Sequence, residues 1–231
     1  MKTIGLLGGM SWESSLGYYK AINEGVKASI GGLHSAKIAM FSVDFDEIEK
    51  LQHQGDWQGT AEILVDAAQK VQMAGADFLL ICTNTMHKVA PQIEASIDIP
   101  LLHIADATAE ELVKNGIKRV GLLGTRFTME QDFYKQRLID NYALDVIVPS
   151  EKEREVVHRI IYDELCLGKI NSDSKLAYLN IISSLAEQGA EAVILGCTEI
   201  GMLVKQTDTD ILLLDTTYIH AQKAVQYALL E

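Results

Sequence analysis

The chain has 231 residues with a net charge of −12, and 48% of its residues are hydrophobic and 23% charged. This length suffices for one large domain or for two of about 115 residues, and the composition is that of an ordinary soluble globular protein. The acidic balance argues against nucleic-acid binding and against attraction to anionic membranes, because both need basic surfaces. We therefore expect no nucleic-acid partner and no membrane partner.

The N-terminal sequence "MKTIGLLGGMSW" predicts the first strand of the fold, because it lacks the long apolar stretch and the cleavage site of a signal peptide. No apolar run reaches the roughly 18 residues that span a bilayer. We therefore expect a cytoplasmic protein. Three cysteines, Cys82, Cys166 and Cys197, are a poor disulfide framework in that compartment. The six histidines are scattered along the chain, so we expect no metal site.

Short apolar runs alternate with longer amphipathic stretches. The runs predict strands at residues 3–7, 37–43, 78–82, 101–104, 119–123, 144–147, 192–195 and 211–214. The stretches predict helices near residues 12–30, 57–73, 106–115, 128–141, 151–167, 173–188 and 216–230. Alternation of this kind, with nearly continuous apolar strands, predicts an α/β fold with parallel sheets covered on both faces.

An internal repeat relates the two halves of the chain. "GLLG" from Gly5 falls on "GLLG" from Gly121 at an offset of 116 residues. "GADFLLICTNTM" from Gly75 resembles "GAEAVILGCTEI" from Gly189 at an offset of 114 residues. The alternative to duplication is that any two α/β units resemble each other in sequence. Two paired motifs in the same sequence order favour duplication.

The repeat predicts two pseudo-symmetric Rossmann-like lobes. We expect the first lobe to contain residues 1–105 and 210–231, and the second to contain residues 106–209. Ligands of open α/β sheets bind outside the carboxyl ends of the strands. The active site is therefore expected in the cleft between the lobes.

The offset of 114 pairs Thr83 with Cys197 and Cys82 with Gly196. Successive residues at an extended strand end point to opposite sides, so Cys82 should point away from the site if Thr83 points into it. We expect Cys82 to be a buried small apolar residue, a common fate of free cysteine. An offset of 115 would align the two cysteines but would break the Gly-Ala match.

Four motifs, "GLLGGMSWESS", "CTNTMHK", "LLGTRFTMEQDFY" and "GCTEIGML", together resemble the cofactor-independent aspartate/glutamate racemases over about residues 3–220. "GCTE" resembles the aspartate-racemase branch, and the chain is similar to enterobacterial members of broad or L-directed preference. The resemblance implies racemisation of aspartate or glutamate by two-base proton transfer at the α-carbon, with no cofactor. It also implies a free amino acid as the small-molecule substrate and a possible homodimer.

In the family pattern, two cysteines face the α-carbon from opposite sides. Cys197 matches the second cysteine, whereas Thr83 stands where the first is usual. The thiolate is the active form of cysteine, and we expect the N–H donors of the strand-to-helix turn to lower the thiol pKa from about 8.5. Because a hydroxyl is much less acidic than a thiol, we expect Cys197 to be the principal base and Thr83 its weaker opposite partner.

The same resemblance assigns substrate contacts to seven residues, namely Met10, Gln52, Asn84, Thr85, Thr125, Thr198 and Glu199. Asn84, Thr85 and Thr198 would donate to the α-carboxylate, and their alternative is loop capping. The alternative for the Met10 loop is a tight strand–helix turn. Gln52 is otherwise an ordinary polar helix residue.

Other residues near the motifs have two interpretations each. Thr128 is a candidate helix cap, with Gln131 completing a capping box. Glu199 either orients or activates Cys197, or is a solvated carboxylate at a helix start. We expect His87 to be structural.

A lysine that holds the side-chain carboxylate in aspartate-specific relatives is replaced here, by the resemblance, with Cys166. This departure leaves room for glutamate or neutral amino acids as substrates. Two other functions fit the same motifs. One is a related Cys-dependent isomerase, decarboxylase or hydantoin racemase, and the other is a non-catalytic amino-acid-binding protein.

Overall fold

The computed structural model describes residues 1–230. Its strands are β1 (Ile4–Gly8), β2 (Ile38–Ser42), β3 (Phe78–Ile81), β4 (Arg119–Gly124), β5 (Asp145–Ile147), β6 (Ala192–Gly196) and β7 (Leu212–Asp215). Its α-helices are α1 (Trp12–Ile30), α2 (Phe45–Gln54), α3 (Trp57–Met73), α4 (Ala90–Glu94), α5 (Ile104–Lys114), α6 (Arg126–Glu130), α7 (Asp132–Tyr142), α8 (Glu151–Asp163), α9 (Ser172–Glu187), α10 (Ile200–Leu203) and α11 (Thr216–Leu229). Three short 3-10 helices cover Thr85–Val89, Leu165–Leu167 and Gln206–Asp208.

The strands form two sheets, and every strand pair in them is parallel. The first sheet has the order β2-β1-β3 and the second the order β5-β4-β6-β7. In both sheets the strand that comes first in the chain lies between the second and the third. The predicted α/β fold with parallel sheets is confirmed. Within residues 1–230, no helix combines the length and the hydropathy needed to cross a bilayer.

The strand register agrees with both offsets of the sequence repeat. Ile4 pairs with Phe78 in the first sheet, and Val120 pairs with Ala192 in the second. These pairs are related by the offsets of 116 and 114 residues found in the sequence. An offset of 115 between β3 and β6 would correspond to a slip of one residue, which would exchange the two faces of the strand.

Two compact units divide the chain. The first contains residues 1–104 and the segment that begins at His220, and the second is Ala105–Ile219. Strand β7 belongs to the second unit because it hydrogen-bonds to β6. The residues from 210 onward, which the repeat assigned to the first lobe, are therefore divided between the units.

The two faces of the first sheet are covered by separate hydrophobic clusters. Phe78, Leu80 and Cys82 belong to the cluster that includes residues of α1 and α11. Leu79 and Ile81 belong to the cluster that includes residues of α3. This alternation has the period of two expected of a strand. Cys82 is thus a fully buried core residue, as predicted, and burial raises the pKa of its thiol.

The predicted strand at residues 101–104 does not form. Leu101 makes one isolated bridge to Leu79, and α5 begins at Ile104. The predicted helix at 128–141 is interrupted at Gln131, whose backbone is extended. The helix predicted at 151–167 ends at Asp163 and is followed by a 3-10 turn. The short helices α2, α4 and α10 were not predicted, because four to ten residues carry little periodic signal.

His220 is a buried titratable group in the first unit. Its Nε2 lies 2.8 Å from the carbonyl oxygen of Leu102, and its Nδ1 lies 2.8 Å from the hydroxyl of Tyr18. Since a carbonyl only accepts, Nε2 carries the proton of the neutral ring, and Nδ1 accepts from Tyr18. Burial lowers the pKa of His220 to about 4.

We predict that the free energy of unfolding falls as the pH drops from 6.5 to about 4, the ordinary and folded-state pKa values of His220. In this interval the unfolded chain binds a proton that the folded protein excludes, so acid favours unfolding by up to about 3 kcal/mol. Urea unfolding across this range should give a smaller decrease for His220→Asn. The exposed His34→Asn variant is the control. An equal decrease in the wild type and in His220→Asn would contradict the prediction.

Candidate active site

The first strand-end cluster consists of Ser14 from α1 and five residues that follow β3, namely Cys82, Thr83, Asn84, Thr85 and His87. Two side chains hold consecutive carbonyl groups within it. The Ser14 hydroxyl donates to the carbonyl of Cys82 at 3.2 Å. His87 Nδ1 lies 2.8 Å from the carbonyl oxygen of Thr83. The backbone at the candidate acid–base residue is therefore held from both sides.

The polar residues that follow β3 are nearly inaccessible. Thr83 is 9% exposed, Asn84 1% and Thr85 5%. Asn84 stands at the N-cap position of the 3-10 helix that begins at Thr85, but its side chain makes no capping bond to that helix. Capping therefore does not explain the amide at this position.

The loop after β1 depends on close backbone packing. Gly9 has a φ of +97°, and a Cβ there would lie 2.3 Å from the carbonyl oxygen of Val43. The Gly9 N–H donates to the hydroxyl of Ser15 at 2.8 Å, and Ser11 caps α1. The side chain of Met10 is buried in the hydrophobic cluster shared with α3, so the sequence-predicted contact at Met10 lies in the core of the first unit.

Gln52 is more deeply buried than an ordinary polar helix residue. It is 1% exposed and lies one turn after Ile48, the other buried residue of α2. Burial of a polar amide is costly unless the amide is hydrogen-bonded, so Gln52 is unlike an ordinary solvent-facing glutamine of a helix.

The second strand-end cluster consists of Thr125, Cys166, Cys197, Thr198 and Glu199. The thiol of Cys197 donates to Glu199 Oε2 at 3.0 Å, and the hydroxyl of Thr198 donates to the same oxygen at 2.8 Å. Glu199 is 3% exposed, so the interpretation of a solvated carboxylate is wrong. The carboxylate is instead a buried acceptor that contacts the candidate base directly.

The electrostatics of Cys197 favour the protonated thiol. Burial raises the pKa of Cys197 well above its usual range, and the negative charge of Glu199 raises it further. Cys166 contributes in the same direction, and the backbone N–H of Glu199 opposes these effects only in part. The expectation that N–H donors would lower this pKa is therefore wrong, because burial and a neighbouring anion outweigh them.

The helix cap predicted at Thr128 is wrong, because Thr125 occupies that position. Thr125 is the N-cap of α6 and accepts from the N–H of Thr128 at 3.4 Å. Thr128 lies inside the helix and is fully buried. Gln131 ends α6 and precedes α7, so it completes no capping box there.

Two residues of these clusters were not assigned to the site from the sequence. Ser14 of α1 contacts the Cys82 carbonyl, and the sequence feature that could have indicated it is its position in the "SWESS" motif. His87 is the second, because its contact with Ile104 joins residues that are 17 positions apart and leaves no local sequence signal. The structure thus gathers Thr83, Asn84 and Thr85 in the first unit.

In the second unit, the structure gathers Cys197, Thr198 and Glu199 directly after β6. Thr125 follows the neighbouring strand β4, and the two strands pair as far as Gly124 and Gly196. Polar side chains that follow adjacent parallel strands lie at one edge of the sheet, the usual position of ligand sites in this class of fold.

The two parallel sheets and the paired strand-end clusters define a duplicated α/β enzyme with a thiol–carboxylate pair. The sequence pattern of the Asp/Glu/hydantoin racemase family matches residues 7–224, so the chain belongs to this family. It is an isomerase of the amino-acid racemase type, as the sequence motifs indicated.

Individual relatives resemble the chain to different degrees. It is 55% identical to a candidate Asp/Glu racemase from Yersinia pestis, with a TM-score of 0.92 and coverage of 100% of both chains. It is 36% identical to an aspartate racemase homologue from Pyrococcus horikoshii OT3, with a TM-score of 0.84 and coverage of 99% of both chains. The broad specificity amino-acid racemase RacX of Bacillus subtilis strain 168 is 23% identical over 187 residues, which are 79% of this chain and 73% of RacX.

We predict that Glu199→Gln lowers the pKa of the Cys197 thiol, because it removes the anion that disfavours the thiolate. Thiolate absorbance at 240 nm, recorded against pH and corrected with Cys197→Ala, measures this change. Glu187→Gln, at an exposed position near the end of α9, is the matched control. An unchanged or raised pKa in Glu199→Gln would contradict the prediction.

Proposed function

We propose that this racemase inverts the α-carbon of aspartate and glutamate by two-base proton transfer, with Cys197 as the principal base and Thr83 as its weaker partner. The proposal rests on one observation, namely that Thr83 and Cys197 occupy equivalent positions in the two copies of the repeat. Each follows the third strand of its half, which pairs with the first strand of that half. A two-base reaction needs one acid–base group on each face of the α-carbon, and a duplicated strand end is a means of supplying both.

Glu199 gives Cys197 a route to its reactive form. Transfer of the thiol proton to Glu199 Oε2, across 3.0 Å, produces a thiolate and a carboxylic acid. The thiolate then removes the α-proton of the substrate and becomes a thiol again. The high pKa of Cys197 makes the thiolate scarce in the free enzyme but more basic once formed, which suits the removal of a weakly acidic α-proton.

Thr83 completes inversion by giving its hydroxyl proton to the opposite face of the α-carbon. The Thr83 oxygen then regains a proton from water, and Glu199 releases to water the proton that it took from Cys197, so both groups return to their starting states. A hydroxyl is a poorer base than a thiolate, so the reverse reaction through Thr83 begins less readily. The two enantiomers have equal free energies in water, so kcat/KM must be equal in both directions. The weakness of Thr83 as a base must therefore appear as kcat values that differ between the two enantiomers and are matched by KM values in the same ratio. It must also appear in the ratio of proton exchange to inversion.

Polar side chains of both strand-end clusters are proposed to bind the amino acid. Asn84, Thr85 and Thr198 would donate to the α-carboxylate and stabilise the charge that develops at the α-carbon. Met10, Gln52, Thr125 and Glu199 remain proposed contacts. Two similar proteins support the substrate class, one described as a candidate Asp/Glu racemase and the other as a broad specificity amino-acid racemase.

The half-buried Cys166 supports a preference that is not restricted to aspartate. A thiol at this position offers no fixed positive charge for a side-chain carboxylate, unlike the lysine expected in aspartate-specific relatives. We further propose that the enzyme acts as a homodimer on the free amino acid.

The first test follows L- and D-aspartate and L- and D-glutamate separately in D2O, with no added cofactor. Loss of the α-proton signal by NMR reports exchange, and chiral chromatography of the same samples reports inversion. We expect one enantiomer of each pair to exchange faster than it inverts, because Cys197 can return a deuteron to the face from which it took the proton. Absence of exchange with all four amino acids would contradict the proposed substrates.

Variants of the two acid–base residues separate their roles. Cys197→Ser should lower exchange by roughly 10²- to 10⁴-fold while calorimetric binding of the amino acid persists. Thr83→Cys should raise inversion relative to exchange by roughly tenfold or more, because a thiol replaces a hydroxyl as the second acid–base group. Unchanged exchange in Cys197→Ser would reject Cys197 as the base, and an unchanged ratio in Thr83→Cys would reject Thr83 as its partner.

A further inference from the structure

His87 connects the candidate acid–base residue of the first unit to a distant backbone segment. It is 2% exposed and belongs to the 3-10 helix Thr85–Val89. Its Nδ1 lies 2.8 Å from the carbonyl oxygen of Thr83, and its Nε2 lies 3.2 Å from the amide nitrogen of Ile104. Both ring nitrogens therefore contact backbone groups.

These two contacts determine where the ring proton is. The amide of Ile104 can only donate, so Nε2 of His87 must accept and carries no proton. The carbonyl of Thr83 can only accept, so Nδ1 carries the proton and donates it. His87 is thus neutral with the proton on Nδ1. Protonation of Nε2 would break the bond from Ile104, so the ring is suited to holding the backbone and not to proton transfer.

The bond from His87 acts on the direction of the Thr83 side chain. Because a peptide unit is planar, a carbonyl held in place restricts the dihedral angles on both sides of it. The Cys82 carbonyl is held by Ser14 and the Thr83 carbonyl by His87, so the two peptide units that flank the Thr83 Cα are both fixed. Threonine is also restricted at χ1 by its branched Cβ. These backbone contacts therefore restrict the direction in which the Thr83 hydroxyl points.

The second copy of the repeat fixes the equivalent carbonyl by another means. The carbonyl of Cys197 accepts from the backbone N–H of Ile200 at 3.1 Å. The offset of 114 places Gly201 at the position of His87. A Cβ at Gly201 would lie 2.5 Å from Oδ2 of Asp215, so this copy has no room for a side chain there. The histidine is specific to the copy that carries threonine.

We propose that His87 is a positioning residue, which aims the Thr83 hydroxyl at the substrate through the Nδ1–H bond to the Thr83 carbonyl. The inference rests on the proposed role of Thr83 in inversion. It predicts that loss of this bond impairs the step that uses Thr83 and spares the proton exchange that uses Cys197 alone. A general loss of folded protein would lower both rates in proportion.

Two substitutions separate the two bonds of His87. In His87→Asn, the amide nitrogen can replace Nδ1 as the donor to Thr83, and the bond from Ile104 is lost. In His87→Gln, the longer side chain can replace Nε2 as the acceptor from Ile104, and the bond to Thr83 is lost. For the enantiomer that the wild type exchanges faster, His87→Gln should lower inversion by roughly 10- to 100-fold and leave exchange within about threefold. His87→Asn should retain inversion within about tenfold.

An equal decrease of exchange and inversion in His87→Gln, or unchanged inversion, would overturn the proposal. A second measurement needs no variant. Long-range proton–nitrogen NMR spectra of the ¹⁵N-histidine-labelled wild type should show His87 as the neutral Nδ1–H tautomer, and an Nε2–H or charged ring would also overturn it. The wild-type exchange and inversion rates test the proposed function itself. Failure of the racemase proposal is thereby distinguished from failure of the role of His87.

Discussion

The register of the central parallel strands is the constraint on which the rest of this structure depends. Pairing of β1 with β3, and of β4 with β6, determines which residue at each strand end faces the core and which faces away from it. In the first unit this places Cys82 among core side chains and leaves the next residue, Thr83, for the loop. In the second unit the place of Cys82 is taken by Gly196, and the thiol appears one residue later at Cys197. In each copy, the first of these two residues is a packing position, and the second, Thr83 or Cys197, follows it in the loop.

Around Cys197, the fold places an anion where a cation would be expected beside a reactive thiol. Burial and Glu199 both oppose the thiolate, and the carboxylate is at the same time the nearest proton acceptor. The Cys197–Glu199 pair therefore shares one proton between two groups, so the two groups titrate as a pair. A solvent-exposed carboxylate could not act in this way, because water would weaken its interaction with the sulfur.

Local patterns were sufficient for the elements that shape the sheets and for the repeat. Helices at 12–30 and 57–73 and the strands of both sheets were predicted because each has the periodicity of its class over enough residues. The strand predicted at 101–104 was wrong because an apolar run alone does not ensure a pairing partner. The burial of Glu199, the high pKa of Cys197 and the contact of His87 with Ile104 depend on tertiary neighbours, so a linear pattern does not reveal them.

The loop after β1 restricts how this enzyme can diverge. With a φ of +97° and the carbonyl of Val43 2.3 Å from any added Cβ, Gly9 cannot acquire a side chain without moving two backbone segments. Mutation therefore cannot readily reshape this part of the loop one residue at a time. Divergence is easier at positions where a side chain can be exchanged over an unaltered backbone. Cys166 of the second unit, half-buried in a short 3-10 turn, is such a position.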